Sequence, residues 1–399
     1  MKKLRIIVGG YVGLYPTGGA TWDYLQYPLG LMMLGHDVYY FEDTAQYPVY
    51  QIEDSKWNNS TATIAYIKDS MESVGLGERW AYRDVGTEQW HGLSNQKIKE
   101  IFNTADIFIN VSSATYIWPE YLKIPVRIMI DTDPMFTQVE FWEMMKQGSS
   151  ERLENFMSHT HFFTFGLNMG AEDCRIPDLG LKWETTKKPI CMGQWANKNI
   201  QAHNNSFTSI LNWIERKPFQ FDNDSWGQKN IIFKKFQDLP GSYKGKEFEM
   251  VVNTGNKKET LEEMELLRNK GWKINSPHNT IADMWSYNSF IKNSFGEFSI
   301  TKATYIKSNS GWFSGRSACY LAAGRPVITQ DTMWSKYFPE GEGLFACNDL
   351  ESAQDAISEI EANYPLHSSR AVDIAREYFD SGVVMEDLFS KVESNVVTT

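Results

Sequence analysis

Residues 310–332, SGWFSGRSACYLAAGRPVITQDT, place Gly, Ser, Gly, Arg and Ser in one turn and then run into an apolar helix. These residue types at a helix start can hold an anion, because unpaired backbone N–H groups and the positive end of the helix dipole converge there. Gly311 and Gly315 let a ligand approach the backbone closely. Ser314 and Ser317 add hydroxyl donors, and Arg316 can grip a phosphate with two parallel N–H···O bonds. The same stretch also reads as a Ser-capped helix whose glycines serve tight packing. A second pattern is IDTDP, residues 130–134. Its alternate carboxylates, Asp131 and Asp133, can share a divalent cation on an extended segment, accept a proton from a hydroxyl, or simply end a strand before Pro134. His159 and His161 alternate on a strand edge, without the further ligands that zinc needs. Cys174, Cys191, Cys319 and Cys347 have no paired spacing and read as reduced thiols.

The elements that must position these residues repeat at domain scale. Residues 4–8 form a short apolar strand, followed by a Gly-rich loop over 9–19. A helix is expected over 21–34, kinked or late at Pro28 and stopped by Gly35, and then the strand HDVYYFED ending on acids. This is a βαβ unit. Residues 105–111, 125–131 and 161–166 read as further buried strands, and 186–205 as an interdomain linker. The pattern restarts with strands at 206–213 and 248–253, helices at 228–236 and 260–271, and the strand WKIN. A helix over 280–293 and an extended segment over 298–306 lead to the opening stretch and the strand PVIT. The tail, 370–396, is helical and amphipathic. Two open α/β halves place ligands at the carboxyl ends of their strands.

The chain has 399 residues, is 42% hydrophobic, and carries a formal net charge of −11, enough for two cores. The acidic balance argues against tight non-specific binding to nucleic acid or anionic membrane. Neither a signal-peptide core nor a membrane-length apolar run is present, so a cytoplasmic protein is expected.

The stretches GGATWDYLQYPLGLMMLGHDVYYFED, IDTDPMFTQ, HFFTFGLNMG and SFGEFSITKATYIKSNSGWFSGRSACYLAAGRPVITQDT, with GEGLFA after them, resemble the GT-B glycosyltransferases over nearly the full length. The resemblance implies two facing Rossmann-like domains. An amino-terminal acceptor domain is expected over 1–195 and a nucleotide-sugar donor domain over 206–369, with a final helix, 370–399, packing back on the first domain. It implies a metal-independent transfer from a nucleotide-sugar, first a UDP-sugar, to a hydroxyl acceptor, with no other cofactor. The diphosphate falls to Gly311, Ser314, Gly315, Arg316 and Ser317. Donor sugar and nucleotide fall to Glu297, Asp331, Thr332, Ile274, Pro277 and Glu342. The acceptor-side loop contains Gly18 and Gly19, and the candidate bases are Asp23, Asp131 and Asp133. Two Glu flanking the donor helix mark many retaining members, but here Gly311 and Cys319 stand at those positions, which leaves the stereochemistry open. Acceptors compatible with this reading are a small molecule, a glycan or a 5-hydroxymethylated base in DNA. A sugar-nucleotide epimerase and a non-catalytic binding module on the same fold are the rival readings, and the chain is expected to be a monomer or homodimer.

Overall fold

The computed structural model describes residues 2–49, 60–148, 150–197, 204–213, 218–227, 229–255 and 257–397. The short apolar runs become strands of two sheets. In the first, β1 (Arg5–Gly9), β2 (Asp37–Glu42), β3 (Trp80–Arg83), β4 (Trp90–Gly92), β5 (Ile107–Val111), β6 (Val126–Asp131), β7 (His161–Thr164) and β8 (Trp183–Thr185) lie in the order β4-β3-β2-β1-β5-β6-β7-β8. All pair in parallel except β4, which runs antiparallel to β3. The central strands are buried on both faces, which is why they read as unbroken apolar runs. In the second half, β9 (Ser206–Asn212) is followed by the hairpin β10 (Phe219–Phe221) and β11 (Asp224–Trp226). Then come β12 (Glu247–Asn253), β13 (Lys273–Asn275), β14 (Gly296–Ser299), β15 (Val327–Thr329) and β16 (Leu344–Ala346). This second sheet is wholly parallel, in the order β13-β12-β9-β14-β15-β16. The strand order reverses beside β1 in one sheet and beside β9 in the other. Those reversals open crevices at the carboxyl ends of the strands.

The chain divides into two compact units. Unit 1 comprises residues 1–165, 177–191 and 381–399; unit 2 comprises 166–176 and 192–380. The tail is two helices, Tyr364–Tyr378 and Ser381–Val397, broken at 379–380. The first belongs to unit 2 and the second to unit 1, where it packs along the Gly18–Met33 helix. The crossing needs Gly30: a Cβ there would lie 2.6 Å from the Ser381 Cβ. Gly30→Ala therefore gains helix propensity worth up to ~1 kcal/mol but meets an overpacked contact costing about 1–3 kcal/mol. The expected net result is a lower melting temperature, recovered in Gly30→Ala/Ser381→Gly.

Two expectations are corrected. The Gly18–Met33 helix starts three residues early, because the Thr17 hydroxyl accepts from the Ala20 amide and caps it; Pro28 lies inside the helix. The segment 298–306 is not extended throughout. Strand β14 ends at Ser299, where its neighbour β15 also ends, and the chain turns into the Ala303–Lys307 helix, with the Thr304 hydroxyl donating to Gly227 O. The segment 186–205 contains the passage from unit 1 to unit 2, between Cys191 and Met192, and it is packed where it is described. Ile190, Cys191 and Trp195 are buried and Met192–Trp195 is helical, while 198–203 lie outside the described residues.

Candidate functional site

In unit 2 the opening stretch sits at the carboxyl ends of β14 and β15. Gly311 has φ +70°, and a Cβ on it would come within 2.6 Å of the Asn168 amide nitrogen, so only glycine fits. Its N–H donates to Thr332 O at 2.7 Å, and the Thr332 hydroxyl donates to Trp312 O at 2.6 Å. Thr332 thus laces the loop after β15 to the turn before the Gly315–Ala322 helix. Ser314 is the N-cap of that helix, but no side chain caps its first turn. Among the described residues the amides of Gly315, Arg316 and Ser317 have no acceptor. Among the described residues the Ser317 hydroxyl in the same turn is fully buried and unpartnered, as is Oε2 of Glu297 on β14. Buried polar groups without partners are uncommon in folded proteins and call for an explanation.

Arg316 departs from its expected role. Its side chain turns inward: Nε donates to Glu297 Oε1 at 2.6 Å, and its two terminal nitrogens donate to Ile210 O and Ser299 Oγ, each at 2.6 Å. Burial opposes the charge, but Glu297 beside it prevails and holds the guanidinium above its ordinary pKa. Arg316 therefore ties the helix start to β9 and β14 through three of its five N–H donors. Burial and the Glu297 charge likewise raise the pKa of Tyr320, whose hydroxyl lies 2.6 Å from Thr208 Oγ1.

The remaining donor-side residues divide. Asp331 accepts from the Met333 and Ser335 amides and from the Ser335 hydroxyl, and so it caps the short turn Trp334–Lys336. Ile274 and Pro277 lie at the end of the edge strand β13, half-buried. Glu342 is exposed and paired with Arg370 at 2.8 Å.

In unit 1, Asp131 ends β6 wholly buried. Its four acceptor directions are taken by the Asp133 amide, Thr137 Oγ1, Gln138 Nε2 and Thr164 Oγ1, all within 3.0 Å. Burial outweighs these donors and raises its pKa. Asp131 is therefore a structural anchor, and the pair Asp131/Asp133 does not present two open carboxylates to a cation. Among the described residues no group of three or more His, Cys, Asp or Glu could hold a metal ion. Asp23 lies on the Gly18–Met33 helix, exposed, 3.2 Å from Lys188 Nζ. Gly18 and Gly19 open that helix. His159 is buried, with one ring nitrogen 3.0 Å from Asn110 Nδ2 and the other 2.7 Å from Phe156 O, and burial pushes its pKa down to about 4.

Two acids at the end of β2, Glu42 and Asp43, carry no individual signal in the sequence. Glu42 is fully buried, and its carboxylate accepts from the amides of Gly13 and Leu14 and from the Tyr40 hydroxyl, at 2.7–3.0 Å. It thereby fixes the Gly-rich loop after β1. Asp43, 2% exposed, has an oxygen without a hydrogen bond, 3.6 Å from Arg83. Burial pushes both up to about 7, against the donors around Glu42 and the charge of Arg83 beside Asp43. The acidic close of HDVYYFED was the sequence signal, but acids also end strands in turns.

No protein-family model matches the sequence, and no curated protein does. Solved structures do. The chain resembles an alpha-glucosyltransferase in complex with UDP and a 13-mer DNA containing an HMU base, with TM-score 0.57 and 10% identity over 97% of this chain and 99% of that one. The fold is GT-B. Other GT-B structures agree: Anabaena HepE in complex with UDP-glucose, TM-score 0.56 and 10% identity over 98% and 100% of the two chains, and a Rickettsia africae glycosyltransferase, TM-score 0.52 and 11% identity over 100% of both.

Proposed function

We propose that this GT-B chain is a glycosyltransferase that moves a sugar from a nucleotide-sugar, in the first instance a UDP-sugar, to a hydroxyl acceptor, with unit 2 binding the donor and unit 1 the acceptor. The observation that carries the reading is the uncapped start of the Gly315–Ala322 helix at the strand ends, with the buried, unpartnered Ser317 hydroxyl in its first turn. Donors fixed in place and awaiting an acceptor suit a diphosphate whose charge grows as it leaves. In the reaction the acceptor oxygen bonds to the anomeric carbon, the bond from that carbon to the phosphate oxygen breaks, and UDP departs. The acceptor's proton passes to a carboxylate of unit 1, for which Asp43, Asp23 and Asp133 are the candidates. Asp43 has the affinity for protons that a base working near neutrality needs. The UDP-bound neighbours support the donor class. The DNA in one of them makes a hydroxymethylated base the second acceptor to try after glycans, although the net charge of −11 weighs against DNA.

The test is a thermal-shift series with UDP, GDP, ADP, CMP and dTDP. UDP is expected to raise the melting temperature in a concentration-dependent way. Ser317→Ala removes a buried hydroxyl that has no partner, so the free protein should melt no lower, while the shift with UDP shrinks. No shift with any nucleotide would overturn the proposal. UDP release from UDP-glucose without an acceptor would favour the epimerase or hydrolase reading.

A further inference from the structure

We infer that unit 1 carries a second ligand site, a saccharide-binding groove at the β4 edge of its sheet. The groove has a volume of about 440 Å³, within the range of small-ligand sites, about 300–1,000 Å³. One wall is a single face of the Asn95–Thr104 helix: Asn95, Ile98, Lys99, Phe102 and Asn103 line it at spacings of three, four, seven and eight residues. The other wall is Gln89 and Trp90 at the start of β4. Trp90 pairs with Arg83, the last residue of β3, so the groove lies toward the carboxyl end of that strand. Its indole is held edgewise or tilted against Phe102 and Phe41, at centroid distances of 6.4 and 5.7 Å.

The lining matches the two-sided chemistry of a sugar ring. Trp90, Ile98 and Phe102 give an apolar floor for the C–H face. The side-chain amides of Gln89, Asn95 and Asn103 make no hydrogen bond among the described residues. An amide both donates and accepts, and so it can pair with neighbouring hydroxyls. The ionic residues cancel: Glu88 and Glu120 face Lys99 and Lys123. That balance disfavours a phosphate or nucleic acid, which needs excess positive charge. The edge of β4 is a poor template for a peptide strand, since the strand has three residues and ends at Gly92 with φ +90°. The occupant assigned is therefore a neutral oligosaccharide. Its role as an acceptor chain rests on the glycosyltransferase reading; its binding does not.

The experiment is saturation-transfer NMR on the full chain with maltotetraose, cellotetraose and chitotetraose, using wild type and Asn95→Ala/Asn103→Ala. Both asparagines are exposed, so the double variant keeps its fold, which an unchanged melting temperature verifies. At least one tetrasaccharide should bind, and the double variant should weaken it about tenfold through two lost hydrogen bonds. Trp90→Leu should weaken binding by a similar factor, through the lost aromatic face. No signal with any of the three, or a signal indifferent to both variants, would overturn the assignment. UDP thermal shifts on the same samples report separately on the donor site, so the two readings fail independently.

Discussion

Arg316→Ala is expected to lower the melting temperature of the ligand-free protein by on the order of 10 °C. Glu297 is fully buried, and Arg316 is its partner at 2.6 Å. Removing one member of a buried ion pair leaves the other charge uncompensated, at a cost of about 3–5 kcal/mol, and a domain of this size shifts by roughly 2–4 °C per kcal/mol. The Ile210 carbonyl and the Ser299 hydroxyl lose their donors in the same step. Arg316→Lys should recover little, since a single ammonium cannot reach three acceptors in the guanidinium's fork. Arg316→Met/Glu297→Leu should recover most of the loss, because replacing both charges removes the desolvation penalty. Thermal denaturation without nucleotide is the check. A free phosphate ligand would leave that transition unmoved on mutation and lose only the response to UDP.

The second large effect is at Glu42. Glu42→Ala leaves the Gly13 and Leu14 amides and the Tyr40 hydroxyl without their acceptor inside unit 1. Each of these three buried unsatisfied groups costs about 1–3 kcal/mol, so a loss of at least about 3 kcal/mol is expected. Glu42→Gln keeps one carbonyl oxygen for the amides and should lose less. The pH dependence isolates what the ionisable carboxyl of Glu42 contributes. Burial raises the folded-state value to about 7, above the ordinary glutamate value of 4.5. The native state therefore binds the proton more tightly, and this contribution to stability is complete below about pH 4.5 and lost as pH rises through about 7. The size is on the order of 3 kcal/mol over that window. Urea titrations at intervals from pH 4.5 to 8 should show wild type losing stability relative to Glu42→Gln across the window. A parallel pair of curves would refute the account of Glu42.

Much of the fold is legible in the sequence. Runs such as Ile6-Ile7-Val8 and IFINV at 107–111 are strands because they are buried on both faces of parallel sheets, and burial on both faces leaves an unbroken apolar signature. The turn at 310–317 is legible as a helix start, because Ser and Gly ahead of an apolar run mark one. What a side chain touches is not legible. Arg316 looks like a phosphate ligand until β14 brings Glu297, nineteen residues earlier, beneath it. Asp131 looks like a base until Thr137, Gln138 and Thr164 converge on it from the following helix and from β7. Glu42 looks like the polar end of a strand, and only the loop folding back over it shows an anchor. Short-range composition also misleads at 298–306, where a β-branched run outlives the strand's pairing partner and becomes helical.

The central claim is that the uncapped helix start binds the donor diphosphate, and Gly315→Pro tests it most directly. Gly315 is the first residue of the helix, where proline is favoured and its missing N–H breaks no helical bond. Ser314 before it already has φ −69° and ψ 129°, the conformation a following proline requires. The substitution thus removes one cradle donor while respecting the backbone. Calorimetric titration with UDP should show affinity weakened about tenfold or more, as expected for losing a hydrogen bond to a charged group, at an unchanged melting temperature of the free protein. Equal UDP affinity in wild type and Gly315→Pro would contradict the claim.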